Sequence, residues 1–209
     1  MINMKVEFLL TGHLATYSNC YGILTDKAAI VVDPGKYCAE VKDFLDKNAD
    51  KTRLILVTHA HYDHIGGALQ LRNATGVKIA IGVNEEFALS DTAYNLSGRF
   101  TPAIPAFKAD YTIENEEEFT VGDITVKAYE TPGHTIGGMC YLIEDCLFSG
   151  DMLFYETVGR VDLPGGNLRD MKESLDRMMW LFEDDIKVYS GHGEMTTIGH
   201  ERRCNPYLR

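Results

Sequence analysis

The stretch LILVTHAHYDH, residues 54–64, joins an uninterrupted apolar run to a dense group of polar side chains. Its apolar first half predicts a β-strand that is covered on both faces. His59, His61, Asp63 and His64 follow where this strand should end, and all four are residue types that bind metal ions. Because ligands of α/β proteins gather at the carboxyl ends of strands, the stretch predicts a buried sheet with a metal site at its edge.

The whole chain has the composition of an ordinary globular protein. Its 209 residues are 45% hydrophobic and 24% charged, and no apolar run approaches the roughly 20 residues that cross a bilayer. The N-terminal MINMKVEFLLTG has Glu7 inside its apolar part and no small-residue cleavage site, so it predicts a first strand rather than a signal peptide. We therefore expect a single cytoplasmic domain over residues 1–209 that does not cross a membrane.

Charge and cysteine content argue against two classes of protein. The formal net charge of −11 disfavours a nucleic-acid groove, because phosphate binding depends on clustered Lys and Arg. The cysteines are odd in number and scattered, with no CxxC pair that would suggest a zinc ribbon or a redox dithiol. They are Cys20, Cys38, Cys140, Cys146 and Cys204. We expect reduced thiols, and a small-molecule substrate rather than nucleic acid.

The hydrophobic pattern predicts an α/β protein made of two similar halves. Short apolar or alternating runs predict strands at residues 6–10, 19–24, 28–32, 54–58, 78–81, 119–121, 124–129, 139–143, 146–149 and 186–189. Apolar residues at helical spacing predict helices at 38–48, from 65 to about 73, at 168–182 with Asn167 as N-cap, and from 199 onward. Strands and helices thus follow in the same order twice, while residues 84–118 show no clear pattern.

Three further metal-capable residues follow other predicted strands. His134 stands in TPGHT, Asp151 in SGD and His192 in SGHGE, each a glycine-containing turn. With the four residues of HAHYDH they can converge on one sheet edge. The two remaining histidines, His13 and His200, have no such setting and are interpreted as ordinary hydrogen-bonded residues.

The number of candidate ligands predicts two ions. Seven ligands exceed the four of a tetrahedral site, whereas two ions that share one carboxylate would use all of them. Imidazoles and carboxylates suit zinc first, with iron or manganese as alternatives, and the lack of thiolate ligands argues against a structural zinc site. A compact turn cannot easily direct Asp63 and His64 to the same ion as His59 and His61, so the stretch should be divided between two ions.

These motifs resemble those of the metallo-β-lactamase superfamily. The resemblance runs from about residue 6 to residue 208 and rests on VVDPG around Asp33, THAHYDH, and the GH, GD and GHG turns. It implies a four-layer αββα sandwich with the metals at one edge of the sheets. Carried over by motif, it also implies a first ion on His59, His61 and His134, a second on Asp63, His64 and His192, and a bridging Asp151. Asp33 would support the metal loops without binding an ion.

Within the superfamily, VGRVDLPGGN and VYSGHGEMTTIGHERRCNPYL are most similar to small glyoxalase II-like, hydroxyacylglutathione hydrolase-related enzymes. This resemblance implies hydrolysis of thioesters such as S-D-lactoylglutathione. Arg160 stands where glyoxalase II has a lysine that holds glutathione, and an arginine can bind a carboxylate with two hydrogen bonds. Glyoxalase II makes further glutathione contacts through a C-terminal helical domain. In the short tail here we expect Arg202 and Arg203 to be solvated charges at a helix end.

The mechanism expected is attack by a hydroxide that forms between two divalent ions, with Asp63 accepting a hydrogen bond from this nucleophile. Tyr62 and Tyr155 are expected to shape the pocket. Three alternatives remain open: a persulfide dioxygenase with one iron on His59, His134 and Asp151, a lactone, other ester or phosphodiester hydrolase, and a metal-binding module without turnover. The segment VGRVDLPGG favours the hydrolase. An aspartate at position 151, where the commonest true β-lactamases have cysteine, disfavours antibiotic hydrolysis.

Overall fold

A computed structural model describes residues 3–12 and 16–208. The strands of these residues are β1 (Lys5–Leu10), β2 (Cys20–Leu24), β3 (Ala28–Val32), β4 (Thr52–Val57), β5 (Lys78–Gly82), β6 (Tyr111–Ile113), β7 (Glu118–Val121), β8 (Ile124–Glu130), β9 (Met139–Ile143), β10 (Cys146–Gly150), β11 (Leu153–Phe154), β12 (Thr157–Val158), β13 (Lys187–Ser190) and β14 (Thr196–Thr197). The α-helices are α1 (Ala39–Lys47), α2 (Tyr62–Ile65), α3 (Ala68–Thr75), α4 (Leu168–Leu181) and α5 (Ile198–Cys204). His13 lies outside the described residues.

The two halves of the chain each form one six-stranded sheet. The first sheet has the order β1-β2-β3-β4-β5-β6, in which β1 to β3 are the predicted antiparallel meander and β3 to β6 run parallel. The second has the order β14-β13-β10-β9-β8-β7 and is antiparallel except between β10 and β13. Helices α1 and α3 connect the parallel strands β3, β4 and β5, since such a pair needs a crossover.

Three apolar clusters hold these elements together in four layers. One cluster lies between the sheets and joins Ile30 of β3 to Val126 of β8. A second packs α1 and α3 against the outer face of the first sheet, and the third packs α4 against the outer face of the second. In β3, alternate residues belong to the inner and the outer cluster, as the two-residue period of a strand requires. The predicted αββα sandwich is confirmed.

The predicted helices are present, but one of them begins later than expected. The helix expected from residue 65 is interrupted at Gly66 and Gly67, and α3 begins at Ala68. A Cβ on Gly66 would lie 2.3 Å from the carbonyl oxygen of Gly35, so the backbones approach too closely for any larger residue. Helix α4 begins as predicted, because the side chain of Asn167 accepts hydrogen bonds from the first-turn amides.

Three short pieces of sheet were not predicted. They are β6, inside the stretch without a clear pattern, the separate hairpin β11–β12, and β14. Each has only two or three residues, too few to show a hydrophobic period. No helix among the described residues combines the length and the apolar character that a membrane span requires.

Candidate metal centre

The seven side chains predicted as metal ligands come together where four strands end. The loop after β4 carries His59, His61, Asp63 and His64. The turns after β8, β10 and β13 carry His134, Asp151 and His192. These strand ends share one edge of the sandwich, since ring nitrogens and carboxylate oxygens from all four loops approach within 3.6 Å of a neighbour. The predicted convergence is therefore present.

The first ligand group consists of His59, His61 and His134. Nδ1 of His61 lies 3.1 Å from Nε2 of His59 and 2.9 Å from Nε2 of His134, and all three side chains are buried. Nitrogens around a tetrahedral zinc ion, with bonds of about 2.0–2.1 Å, stand about 3.3 Å apart. The three nitrogens thus lie close to the spacing that one ion would impose.

The second ligand group consists of Asp63, His64 and His192. Oδ2 of Asp63 lies 3.2 Å from Nε2 of His192. Between the two groups stands Asp151: its Oδ1 lies 3.2 Å from Nε2 of His64, and its Oδ2 lies 3.5 Å from Nε2 of His134 and 3.6 Å from Nε2 of His192. A carboxylate that faces both groups has the position of a bridging ligand.

Buried polar atoms without hydrogen bonds show that the centre fits cations. Nε2 of His64 and Oδ1 of Asp151 are buried and close together, yet they are not aligned for a hydrogen bond and have no other partner. Such atoms are costly unless something satisfies them. Imidazole and carboxylate donors in this number suit divalent zinc, iron or manganese. The residues present therefore fit two divalent ions.

Hydrogen bonds on the far side of two rings direct their free nitrogens into the centre. Nδ1–H of His64 donates to Oδ2 of Asp33 at 2.9 Å, and Nδ1–H of His134 donates to the carbonyl oxygen of Arg160 at 2.7 Å. Asp33 also accepts the amide of Thr58 at 2.8 Å and its hydroxyl at 2.6 Å. These bonds turn Nε2 of each ring toward the centre, where its lone pair can bind an ion once it carries no proton. Asp33 thus stands behind the centre, where a supporting carboxylate was predicted.

Burial and charge set the protonation of the two groups differently. Burial, reinforced by the neighbouring histidines, lowers the pKa of His59 well below its usual value and that of His61 to about 3. Burial also opposes a charge on His64, but Asp151 and Asp33 outweigh it and raise the pKa of His64. Against the same penalty, His64 lowers the pKa of Asp151 well below its usual value. In the metal-free protein, His59 and His61 are therefore neutral, whereas a charged His64 lies beside the ionised Asp151.

One residue that positions the centre was missed at the sequence level. Glu85, three residues after the end of β5, is buried and accepts the amide of Ala60 and the amide of Gly137, each at 3.0 Å. Burial raises the pKa of this carboxyl, and the two amides oppose the shift. Glu85 thus ties the loop of His59 and His61 to the turn that follows His134. A carboxylate shortly after the predicted strand 78–81 was the feature of the sequence that could have identified Glu85.

A cleft of about 560 Å³ opens over the two groups. Tyr62 and Tyr155 line it, as predicted. Arg160 lines it too, but its guanidinium binds Asp162 through two hydrogen bonds of 2.6 and 2.7 Å. The guanidinium of Arg160, which was predicted to bind a substrate carboxylate, is therefore paired with Asp162 of the same chain.

The tail after the last metal turn supports one wall of the cleft. Glu201 is fully buried and accepts the amide of Glu156 at 2.9 Å, and Asn205 donates to the carbonyl of Thr157 at 3.1 Å. These bonds hold the turn of hairpin β11–β12. His200 is half-buried and hydrogen-bonds to Glu156 at 3.0 Å, outside the metal centre.

Arg202 and Arg203 lie away from the cleft, as expected for charges at a helix end. The guanidinium of Arg202 donates to the carbonyls of Met179 and Phe182 at the end of α4. Arg203 pairs with Asp184. The tail therefore contributes to the cleft through Glu201 and Asn205 rather than through its arginines.

Comparisons with known proteins agree with this geometry. The family model described as the metallo-β-lactamase superfamily matches residues 14–192. A hydroxyacylglutathione hydrolase of Haemophilus influenzae is 33% identical over 199 residues, which cover 93% of this chain and 94% of that protein. The crystal structure of the B3 metallo-β-lactamase BLEG-1 is 36% identical with a TM-score of 0.87, covering 98% of this chain and 99% of that one. A protein solved in a di-iron-bound form is 29% identical with a TM-score of 0.80, covering 97% and 100%.

Proposed function

This chain belongs to the metallo-β-lactamase superfamily, and we propose that it hydrolyses thioesters with a water molecule activated by two divalent ions. The observation that carries the proposal is the double ligand set, in which Asp151 faces both the first and the second ligand group. Zinc is the ion proposed, with iron or manganese as alternatives. The similarity to a hydroxyacylglutathione hydrolase supports thioesters as the substrate class and makes S-D-lactoylglutathione the reference substrate.

The protein's own residues supply a defined environment for this reaction. Bound at the two groups, the ions would lower the pKa of a shared water from about 15.7 toward 7 and polarise the substrate carbonyl. Asp63 is held by His192, whose hydrogen bond lowers the pKa of this carboxyl against the cost of burial. Its ionised carboxylate can accept a hydrogen bond from the attacking water and orient it toward the carbonyl carbon.

The bond that breaks joins the carbonyl carbon to sulfur, and the products are a carboxylate and a thiol. A thiolate is a good leaving group, so the reaction needs no strong general acid. Asp63 is the group placed to take up the proton of the water and to return it to the thiolate. The tyrosines of the cleft then act on substrate shape rather than on proton transfer.

The test is a hydrolysis assay of the zinc-loaded protein with S-D-lactoylglutathione, a simple thioester and a lactone. We expect thioester hydrolysis to be fastest and His59→Ala to lower kcat by at least about a thousandfold, as loss of an essential catalytic group does. Parent-like activity of the variant would refute the metal-dependent mechanism. A β-lactam belongs in the same panel because BLEG-1 is similar over nearly the whole chain, against the expectation drawn from Asp151.

A mononuclear-iron dioxygenase that acts on persulfides is the second candidate. The di-iron form of a solved relative favours a test for iron, and His59, His134 and Asp151 would be its ligands. Metal analysis of the purified protein separates the two functions. One iron per chain, with oxygen uptake on glutathione persulfide and no thioester hydrolysis, would replace the hydrolase proposal.

A further inference from the structure

Apart from the metal centre, Thr157, Arg160 and two glycines, the walls of the cleft consist of apolar and aromatic side chains. Side chains from four separate segments line them: Tyr62, Leu96, Phe100, Phe154, Tyr155 and Leu163. A volume of about 560 Å³ is that of a small-molecule site. One pair of rings, Phe154 and His192, reaches the centre with 6.0 Å between centroids, and a second pair, Tyr62 and Phe100, lies 5.9 Å apart.

Large aromatic surfaces remain in water at the mouth of this cleft. Phe100 is 52% exposed and Tyr155 is 44% exposed, whereas Tyr62 and Leu96 of the same cleft are buried. A ligand that covers these rings removes apolar surface from water, which is favourable. Hairpin β11–β12, which carries Phe154 and Tyr155, is held by Glu201, so this wall is already in place before a substrate binds.

Positive charge at the cleft comes from two arginines. Among the described residues that line it, Arg160 is the single lysine or arginine, and the guanidinium of Arg99 lies over the ring of Phe100 at 5.0 Å. Asp162 occupies Nε and one Nη of Arg160, so a substrate carboxylate would have to share this guanidinium with Asp162 or displace it. A glutathione group carries two carboxylates and one ammonium, and the protein itself has a formal net charge of −11. The lining therefore offers a bound thioester mainly apolar surface, and Asp162 already offsets the charge of its one arginine.

We propose that the cleft selects thioesters in which the group on the sulfur is neutral and apolar, in preference to glutathione thioesters. The proposal rests on the proposed thioester hydrolysis and names its substrate class. The apolar group lies against Phe100 and Leu163 while the carbonyl faces the two ligand groups. An aromatic or branched group gains most, because the wall is built from rings and leucines.

The test is a two-by-two substrate panel on the zinc-loaded protein. D-Lactoyl and phenylacetyl groups are each joined to glutathione and to benzyl thiol, two thiols of comparable leaving ability. We expect kcat/KM to be at least about tenfold higher for the benzyl thioester in each pair, since one apolar group in a pocket discriminates by roughly 10- to 200-fold. Equal rates, or a preference for glutathione, would overturn the proposal while leaving thioester hydrolysis intact.

Two variants show whether the apolar wall causes the preference. Phe100→Ala should reduce the ratio of benzyl to glutathione kcat/KM by about tenfold, because it removes a ring that the substrate covers. Trp180→Ala is the matched control, since this aromatic residue is 83% exposed on α4 and does not line the cleft. A ratio that Phe100→Ala leaves at the parent value would contradict the assignment of the wall.

A binding measurement keeps the proposal testable if no thioester turns over. Ketone analogues, with a methylene in place of the thioester sulfur, are titrated calorimetrically for both thiol groups. Tighter binding of the benzyl analogue by about tenfold, without hydrolysis of any thioester, would leave the cleft selectivity standing and refute the proposed function. Tighter binding of the glutathione analogue would refute the selectivity as well.

Discussion

Asp33 supports the proposed second ion site from behind, through His64 and the start of the loop that carries four ligands. It lies at the end of β3 with a positive φ of 50°, and one carboxylate receives the ring of His64 and two donors of Thr58. A side chain of this length is needed at this backbone position for both contacts. An asparagine keeps the shape and tolerates the backbone angle, but its amide nitrogen cannot accept a hydrogen bond.

We therefore predict that Asp33→Asn weakens binding of the second ion by about 10- to 100-fold, the range found when an outer partner of a ligand is lost. Competition with a chromophoric chelator measures the affinity. Asp26→Asn, at an exposed turn, is the control and should match the parent. Unchanged affinity of the second ion in Asp33→Asn would show that His64 needs no support from this carboxylate.

The protonation of His64 leads to a second prediction at the same scale. Asp151 and Asp33 raise the pKa of His64 against the effect of burial, so in the metal-free protein this ring is charged at neutral pH. An ion that binds Nε2 of His64 must displace a proton. At pH values below the raised pKa of His64, each increase of one pH unit should therefore raise the affinity for the second ion about tenfold. His59 and His61 have lowered pKa values, so these two rings give up no proton to an ion near pH 7.

Titration calorimetry in two buffers of different ionisation enthalpy counts the protons released. We expect more proton release with the second ion than with the first, because His64 is charged while His59 and His61 are neutral. Equal proton release in both steps would contradict the different protonation of the two groups.

Among the elements, the loop after β4 and the turn after β8 are joined by Glu85. In Glu85→Gln a side-chain NH2 group replaces one of the two oxygens. The backbone N–H that this oxygen accepted then has no acceptor. We expect the free energy of unfolding to fall by about 1–3 kcal/mol, the cost of an unsatisfied buried group. Compared with the parent, the variant should also lose more affinity for the first ion than for the second. Glu86→Gln, at the next position, is the control; a loss of stability with both affinities unchanged would show that Glu85 acts on the fold alone.

Hairpin β11–β12 gives an element whose role can be separated from the metals. Glu201→Ala removes the acceptor for the amide of Glu156 and for the Thr196 hydroxyl, so the wall that carries Phe154 and Tyr155 loses its anchor. We predict a higher KM for the preferred substrate, by roughly tenfold, with metal content unchanged. Metal analysis beside steady-state kinetics tests this. A variant that loses its metals would instead place Glu201 in the support of the centre.

For the whole molecule, removal of the ions should lower thermal stability. Each proposed ion takes ligands from loops of both sheets, and an ion that binds the folded state at 100 times its Kd stabilises it by about 2.7 kcal/mol. For a chain of this size one such ion corresponds to a fall in Tm of about 5–10 °C. Calorimetry of the zinc-loaded and the chelator-treated protein measures the difference. His59→Ala should show a smaller difference, and an identical difference in variant and parent would contradict the proposed ligands.

The sheets and the convergence of ligand loops were predictable because both follow from local patterns. His134, Asp151 and His192 each follow an apolar run, so the rule for strand ends places them together. Glu85 also follows a strand, but it is a single carboxylate at the start of residues 84–118, where no hydrophobic pattern or motif marked it as part of a site. Hairpin β11–β12 could not be predicted, since its two-residue strands depend on Glu201, far along the chain. The pairing of Arg160 with Asp162 depends on rotamers, which a sequence does not show.

The division of ligands between the two sheets has a consequence for folding kinetics. The half that ends with β6 supplies two proposed ligands for each ion, and the half that begins with β7 supplies the third ligand of each and the shared Asp151. Neither half offers a complete site until the two sheets have docked. Zinc bound by its full ligand set would therefore stabilise the docked sheets and neither half alone, so that the loaded protein should unfold more slowly than the metal-free protein.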